Sequence, residues 1–393
     1  MPNASRFDPA TYPLPDVVRD AAMSPALVVH LNLVRDNVRR VIDLLGGDPN
    51  RWRPHLKTQK IPQVWATLVD AGVRHFKCAT SREAACLLDL LDRRDVVGAD
   101  LLVAYPVVGP TARRIAELAD AHPATQIGIL CDDPDEMADL PANLDVFIDL
   151  NPGFDRTGLP VDDVARIAGA IDEAGPRFRG LHCFDGHIRM ADPVERHVVA
   201  HRLYDRLVDV IERLADDGRE VPELITSGTR TFCAAATYPR FARPFGATTH
   251  RIAAGTVIMQ DLATAEFVPE APGVPAAVIL SRIVSAAVPG IVTCDAGAKT
   301  LAAEQGDPVA IVVGRDDLVA RRPTEEHMAL EVRGGARPRR GDAVLLVPRH
   351  VCPTINLAEY AVLVDDGRFV DVVPVAARAH ELKMLGTPTT ADR

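Results

Sequence analysis

Residues 144–184, "LDVFIDLNPGFDRTGLPVDDVARIAGAIDEAGPRFRGLHCF", read as strand, helix and strand in succession. "LDVFIDLN" and "FRGLHCF" are apolar on both alternating faces, the signature of strands covered on each side, whereas "DDVARIAGAIDEAG" carries its apolar residues at helical spacing. Strands joined through such a helix pair in parallel by a right-handed crossover. The same alternation continues in both directions. Upstream lie "ALVVHLN", "RWRPHLKT", "HFKCAT", "LLVAYPV" and "QIGILC"; downstream lie "ELITSG" and "HRIAAGTVIM", with the long amphipathic stretch "VERHVVAHRLYDRLVDVIERLADDG" between. About eight repeats fit a (β/α)8 TIM barrel, which closes at eight strands, better than an open sheet. The expectation is a barrel over residues 25–268, with the ninth run an edge strand or a boundary error. After Pro269 the texture changes to strand-like runs separated by Gly, Pro and Asp turns, among them "AAVILSRIVSAAV", "GIVTCDAG", "DPVAIVVGR", "HMALEVR", "DAVLLVPRHVCPT" and "EYAVLVDDGRFVDVVPV". These predict a second, mostly antiparallel β domain of residues 269–393, joined by residues 1–24.

Composition narrows the partners. The 393 residues carry 44 Lys+Arg against 54 Asp+Glu, a net charge of −10, and no basic stripe that could follow a phosphate backbone. Nucleic acid is not an expected partner. The amino terminus lacks a basic segment followed by an apolar one, and no run of 18 uncharged apolar residues occurs, so no membrane association and a cytoplasmic location are expected. Seven scattered cysteines, mostly within apolar runs, suit reduced thiols rather than a disulfide framework.

Two lysines, Lys57 and Lys60, stand close together in "RWRPHLKTQK". On a strand, Arg53, His55 and Lys57 share one face, which places Lys57 at the carboxyl end, where barrel enzymes keep their chemistry. Lys60 falls at the start of the next helix and is expected to be solvated. Read locally, Lys57 is either a rim ion pair or an amine enclosed in the mouth and able to attack an aldehyde. Two loops bear on the choice. "TSGTRTF" and "AAGT" occupy the places where such barrels hold phosphate; Gly228 and Gly255 would let backbone N–H groups approach an anion, and Ser227, Thr229 and Thr256 would add hydroxyls. A reactive amine facing a phosphate cradle describes pyridoxal 5′-phosphate. In "PRHVCPTINL", strand alternation puts His350 and Cys352 on one face, either as two ligands of a divalent metal or as a buried thiol beside a hydrogen-bonded imidazole.

"RPHLKTQK" and "PRHVCPTINL", with "IDLNPGFDRTG", "CDAGAKTLAAEQG" and "PTEEHMALEV", make nearly the whole chain resemble the D-threonine aldolase / D-serine dehydratase family. That family implies a fold-type III, alanine-racemase-like barrel with a metal-binding β domain. It implies that Lys57 carries the cofactor, that His350 and Cys352 hold the metal, Zn²⁺ first and Mn²⁺ second, and that Arg156 reaches the cofactor oxygen or a substrate carboxylate. Read from the residues, Arg156 could equally pair with Asp155 or Asp149. His187 is either an acid/base near the β-oxygen or a satisfied loop residue, and one of Phe184 and His182 either packs on the pyridine ring or belongs to the core. His327 belongs to the pattern without a derived role. Cys352, where aldolase-like members have Asp, leans toward dehydration; Gln59 and Arg349 depart from the pattern and bear on the substrate. The resemblance thus implies a lyase for β-hydroxy D-amino acids, favoured as a dehydratase giving a 2-oxo acid and ammonia, with retro-aldol cleavage to glycine and an aldehyde as the alternative. An amino-acid racemase and a non-catalytic PLP-binding protein remain as further readings, and a homodimer is expected.

Overall fold

A computed structural model describes residues 7–383, so the ends of the ranges expected for the β domain, 1–6 and 384–393, lie outside the described residues. The chain divides into two compact units, one of Ile42–Lys57, Leu68–Gly255 and the described part of Ala379–Arg393, the other of the described part of Met1–Val41, Thr58–Thr67 and Thr256–Arg378.

The strands are numbered along the chain from β1, Ala26–His30, which belongs to the second unit. The first unit is built on a parallel sheet. Its strands are β2 (His75–Cys78), β3 (Asp100–Pro106), β4 (Gln126–Cys131), β5 (Asp145–Asn151), a short β6 (Leu159–Pro160) beside β5, β7 (Phe178–Cys183), β8 (Glu223–Thr226) and β9 (Thr249–Ile252). The order β2-β3-β4-β5-β7-β8-β9 follows the sequence apart from β6, and every pair is parallel. The circle closes through residues 52–55, which bridge Ile252 on one side and Lys77 on the other. This is the eight-membered barrel expected from the alternation. The closing segment is a strand in position only: Pro54 has no N–H to give, and the contact consists of the Arg53 N–H to Ile252, the Leu56 N–H to Lys77 and the Lys77 N–H to Pro54.

Capping side chains set the starts of several barrel helices. Thr80 accepts from the Glu83 N–H at the head of Ser81–Arg93, Asp163 from the Arg166 N–H before Val164–Ala174, and Asp192, ahead of Pro193, from the Glu195 N–H before Pro193–Asp216. Inside the barrel Leu102, Leu130, Phe147, Ile225 and Ala253 form one apolar cluster. At the amino-terminal ends of the strands the filling is ionic. The fully buried Arg53 donates to both oxygens of Glu223 at 2.8 Å and also meets Asp100, while Arg251 pairs with Glu223 at 2.8 Å.

The second unit carries a nine-stranded sheet of β1, β10 (Ala277–Ser285), β11 (Ile291–Cys294), β12 (Ala310–Val312), β13 (Leu318–Ala320), β14 (Met328–Val332), β15 (Ala343–Pro348), β16 (Tyr360–Asp365) and β17 (Arg368–Pro374). Here the reading of the first apolar run is corrected: "ALVVHLN" does not open the barrel. Leu27–His30 pairs in parallel with Ala361–Val364, and Ala26–Val29 pairs antiparallel with Ala277–Leu280. A strand buried on both faces reads the same in either sheet, and this one supplies the ninth run that a barrel of eight could not use. The other pairings in this sheet are antiparallel, as expected. None of the seven cysteines is in a disulfide. No helix among the described residues is long and apolar enough to cross a membrane.

Candidate active site

With β1 removed from the count, the loops singled out in the sequence fall at the carboxyl ends of barrel strands: Lys57 after the 52–55 segment, Arg156 after β5, His187 after β7, Ser227–Thr229 after β8 and Gly255 after β9. This is the end at which parallel barrels gather their functional groups. Lys57 lies in a turn and is exposed within this unit, the sequence having left open a rim ion pair or an amine enclosed in the mouth. Lys60 differs from the expectation of a solvated residue. It is buried, in the left-handed region at φ 54°, and its ammonium donates to the Ala377 carbonyl at 3.3 Å within the second unit.

The phosphate-loop residues are less alike than their sequence implied. Ser227 is buried at φ 68°, and its hydroxyl has no hydrogen-bond partner among the described residues. A buried, unpartnered hydroxyl at a barrel mouth fits an anion that the chain itself does not supply. Gly228, expected to offer its N–H to a phosphate, gives it to Asp185 at 3.1 Å, and a Cβ there would come within 2.8 Å of the Phe184 ring. Gly255 allows close packing against the lysine segment, because a Cβ would lie 2.1 Å from the His55 carbonyl oxygen. Thr229 is half-buried. Thr256, in the second unit, places its hydroxyl 3.4 Å from both Thr58 Oγ1 and Cys352 Sγ.

Arg156 forms no ion pair with the two carboxylates considered for it. Asp155 accepts from Asn151, and Asp149 is held by His182 and Thr157. The Arg156 guanidinium rests over the Phe154 and Phe184 rings, 5.1 and 4.8 Å from their centroids, which leaves its N–H donors free for an incoming anion or oxygen. His187 stacks on Phe154 at 6.3 Å, with its Nδ1 buried and without a partner among the described residues. Phe184 packs edge-on against Phe154.

His182 has another place. Its Nδ1 lies 2.6 Å from Asp149 Oδ1 and its Nε2 lies 2.7 Å from Lys77 Nζ, all three residues being 3% exposed. Burial, and then the charge of Lys77, pushes the His182 pKa down to about 4 despite Asp149. Asp149 is held below the usual carboxylate range: burial opposes its charge, and His182 and Thr157 outweigh that opposition. Sequence reasoning passed over Lys77, although a lysine inside the apolar run "HFKC" was itself a signal, since lysine is almost never fully buried without a partner.

In the second unit His350 and Cys352 come together, but on a helix start instead of a strand. β15 ends at Pro348, His350 caps the helix Val351–Leu357, and Pro353 is its third residue, where a missing N–H costs nothing. Arg349, the departure noted in the sequence, fastens this corner: it is buried and binds the Glu266 carboxylate at 2.6 and 3.1 Å and the Pro308 carbonyl at 2.7 Å. His350 and Cys352 stand two residues apart at this helix start, each acting on the other's charge, and Glu304 engages His350 Nδ1. Burial works against the imidazolium, yet Cys352 and Glu304 push its pKa up to about 9; burial likewise raises the Cys352 thiol, and His350 more than reverses this. Thr58, the residue following Lys57 in sequence, lies 3.2 Å from Cys352 Sγ. An imidazole and a polarised thiol side by side suit a borderline divalent metal. Among the described residues no group of three or more His, Cys, Asp or Glu is arranged to hold one, so the pair would leave further coordination positions open. His327 is exposed, with its carbonyl closing a turn to Thr324.

Comparison with known proteins bears on the family and the fold. Residues 29–244 match the family model described as the alanine racemase N-terminal domain, and residues 276–364 match that of a putative serine dehydratase domain. The chain is 26% identical over 367 residues to a D-threonine aldolase of Arthrobacter sp, covering 90% of this chain and 92% of that one. It is 25% identical over 384 residues to a 3-hydroxy-D-aspartate aldolase of Paracoccus denitrificans (strain Pd 1222), covering 93% and 94%. The crystal structure of a D-threonine aldolase from Filomicrobium marinum superposes with a TM-score of 0.80 at 27% identity, covering 91% of this chain and 96% of that one.

Proposed function

This chain belongs to the alanine racemase N-terminal domain family, and from that premise we propose that it is a lyase using pyridoxal 5′-phosphate and a divalent metal on β-hydroxy D-amino acids, chiefly by β-elimination to a 2-oxo acid and ammonia. The observation that carries the reading is the placement of His350 and Cys352 together at one helix start, in a chain that also presents an exposed Lys57 and a Ser227 hydroxyl unpartnered among the described residues at one barrel end.

Pyridoxal phosphate, when bound, supplies an electron sink conjugated to Cα, and a metal such as Zn²⁺ or Mn²⁺ supplies a Lewis acid for the β-oxygen. Lys57 would hold the cofactor through its amine and, once free, take the Cα proton. Ser227 and Thr229 would anchor the phosphate, and Gly255 would keep the lysine segment in register. Arg156, its face covered by Phe154 and Phe184, would orient a cofactor or substrate oxygen with its free N–H donors. His187, with Nδ1 buried and unpartnered, would give or take the proton at the β-oxygen. His350 and Cys352 would be the metal ligands, with Glu304 holding the imidazole in orientation, as outer carboxylates commonly do. We also propose a homodimer.

A second reading, retro-aldol cleavage to glycine and an aldehyde, is favoured by the aldolase names of the relatives. The two reactions need the same proton and metal placement and differ in product. Purified chain is incubated with pyridoxal phosphate, Zn²⁺ or Mn²⁺, and D-serine, D-threonine or 3-hydroxy-D-aspartate in turn. Release of 2-oxo acid and ammonia is the expected result, and glycine with an aldehyde would transfer the assignment to the aldolase reading. If none of the three substrates yields either set of products, while the Lys57→Ala control matches wild type, the lyase proposal fails.

A further inference from the structure

Lys77 is a buried amine that the proposed reaction leaves without a task. It projects from β2 with its Nζ 2.7 Å from His182 Nε2 on β7; the other imidazole nitrogen lies 2.6 Å from Asp149 Oδ1 on β5, and the second carboxylate oxygen accepts from the Thr157 hydroxyl at 2.7 Å. Three strands of one barrel thus set an amine, an imidazole and a carboxylate in line. The anionic Asp149 fixes the tautomer: Nδ1 carries the proton toward the carboxylate, and Nε2 offers its lone pair to Lys77. A buried lysine ordinarily meets a carboxylate or reaches water with its tip. Lys77 instead rests on a neutral ring, an arrangement that tolerates both the ammonium and the amine.

The Lys77 backbone runs beside the segment that leads into Lys57. Lys77 bridges His55, its N–H donates to the Pro54 carbonyl at 3.1 Å, and its carbonyl accepts from the Leu56 N–H at 2.7 Å, immediately before Lys57. We propose that Asp149, His182 and Lys77 form a proton reservoir for Lys57. In the step a proton passes from the Lys57 ammonium to the Lys77 amine, leaving Lys57 with a free lone pair and Lys77 as the ammonium; the reverse transfer restores both, so charge and atoms balance without another reactant. The inference rests on the reading of Lys57 as the cofactor lysine.

The surroundings make such an exchange possible at neutral pH. Burial, then the charge of Lys57, pushes the Lys77 pKa down to about 7; Asp149 opposes this, and Arg156 and Arg53 add to it. On the neighbouring strand the residue paired with Lys77 is the apolar Leu102. Lys77 acts through Lys57, so it is a positioning residue for the proton.

The chain has only five lysines, Lys57, Lys60, Lys77, Lys299 and Lys383, so lysine labelled with ¹³C at Cε gives a spectrum that can be assigned by substitution. In the full chain without cofactor, one resonance is expected to titrate near pH 7, to vanish in Lys77→Met and to shift its midpoint in His182→Asn. Titration of all five above pH 9 overturns the proposal. In the cofactor-loaded enzyme, Lys77→Met should keep the visible absorbance, showing Lys57 still in place, yet lose the pH dependence of kcat/KM near 7 together with about 100-fold of its value. An unchanged pH profile with the absorbance intact overturns the reservoir. Should Lys77→Met not fold, His182→Asn carries the same two measurements. Wild-type chain that binds pyridoxal phosphate without visible absorbance would instead overturn the Lys57 reading, and the lysine titration distinguishes that failure from failure of the relay itself.

Discussion

Arg53 and Glu223 meet as a two-pronged pair, Nε and one terminal guanidinium nitrogen each 2.8 Å from a different carboxylate oxygen, with Arg53 wholly buried. The pair joins the closing segment of the barrel to β8, and Asp100 at the head of β3 adds a second carboxylate to the same guanidinium. Because Pro54 weakens the backbone ladder here, the ionic contact does part of the work of closing the ring. It lies at the amino-terminal ends of the strands, away from the loops that carry the candidate chemistry, so it serves folding rather than catalysis.

Glu223→Gln tests this. The amide keeps the shape but leaves Arg53 and Arg251 short of one negative charge in a buried place, and removing one partner of such a network costs about 3–5 kcal/mol. Urea denaturation should show a lowered midpoint at an unchanged slope, while the folded variant keeps its cofactor absorbance. A midpoint equal to wild type would mean that Asp100 alone satisfies both arginines.

His30 predicts an acid limit to stability. Its ring is fully buried against the edge of Tyr12, 5.6 Å between centroids, with neither nitrogen partnered among the described residues, and burial pushes its pKa down to about 4. The unfolded chain binds a proton at this residue near pH 6.5 and the folded chain does not, so the stabilising contribution is complete above about 6.5 and is lost as the pH falls toward 4. The loss amounts to about 3 kcal/mol. His30→Phe should flatten this limb: between pH 7 and 4.5 the unfolding midpoint of the variant should fall less than that of wild type. Parallel decline of the two proteins would contradict the assignment.

The parts legible in the sequence were those written in local periods. Alternating apolar runs and amphipathic segments displayed the barrel, and the change of texture after Pro269 displayed the second sheet. What local pattern could not convey was pairing at long range. β1 lies in sequence next to the barrel but pairs with β16, more than 300 residues on, and an all-apolar strand carries no mark of which sheet receives it. At His350 the pair was legible and its backbone was not, because Pro353 marks a strand's end and a helix's first turn equally well. Gly228 was read as a donor to an anion, yet its N–H is taken by Asp185 from another loop. Lys77, His182 and Asp149 stand on three separate strands, and only closure of the barrel makes them neighbours.

Cys352→Ala separates the metal from the cofactor. The thiol contributes one of two paired donors beside His350, and the substitution leaves Lys57 and the Ser227 loop untouched. Metal retained after gel filtration, measured by atomic absorption, should fall well below that of wild type, and turnover of β-hydroxy D-amino acids should drop by at least about 100-fold, while the visible absorbance of the cofactor persists. Unchanged metal content with unchanged rate would remove the pair from the chemistry.

Ser227→Ala addresses the cofactor anchor in a way that its surroundings make clean. Among the described residues the hydroxyl bonds nothing, so its loss removes no hydrogen bond from them, and alanine bears the left-handed backbone at φ 68° about as well as serine does. Apo stability should therefore change by no more than about 0.5 kcal/mol. Affinity for pyridoxal phosphate should fall, because a hydrogen bond to a charged group contributes about 1.5–3 kcal/mol, which is roughly 10- to 150-fold in dissociation constant. Free pyridoxal, which lacks the phosphate, should bind wild type and variant alike. If the variant loses affinity for pyridoxal as much as for its phosphate, Ser227 faces some other part of the ligand and the anchor must lie elsewhere in the loop.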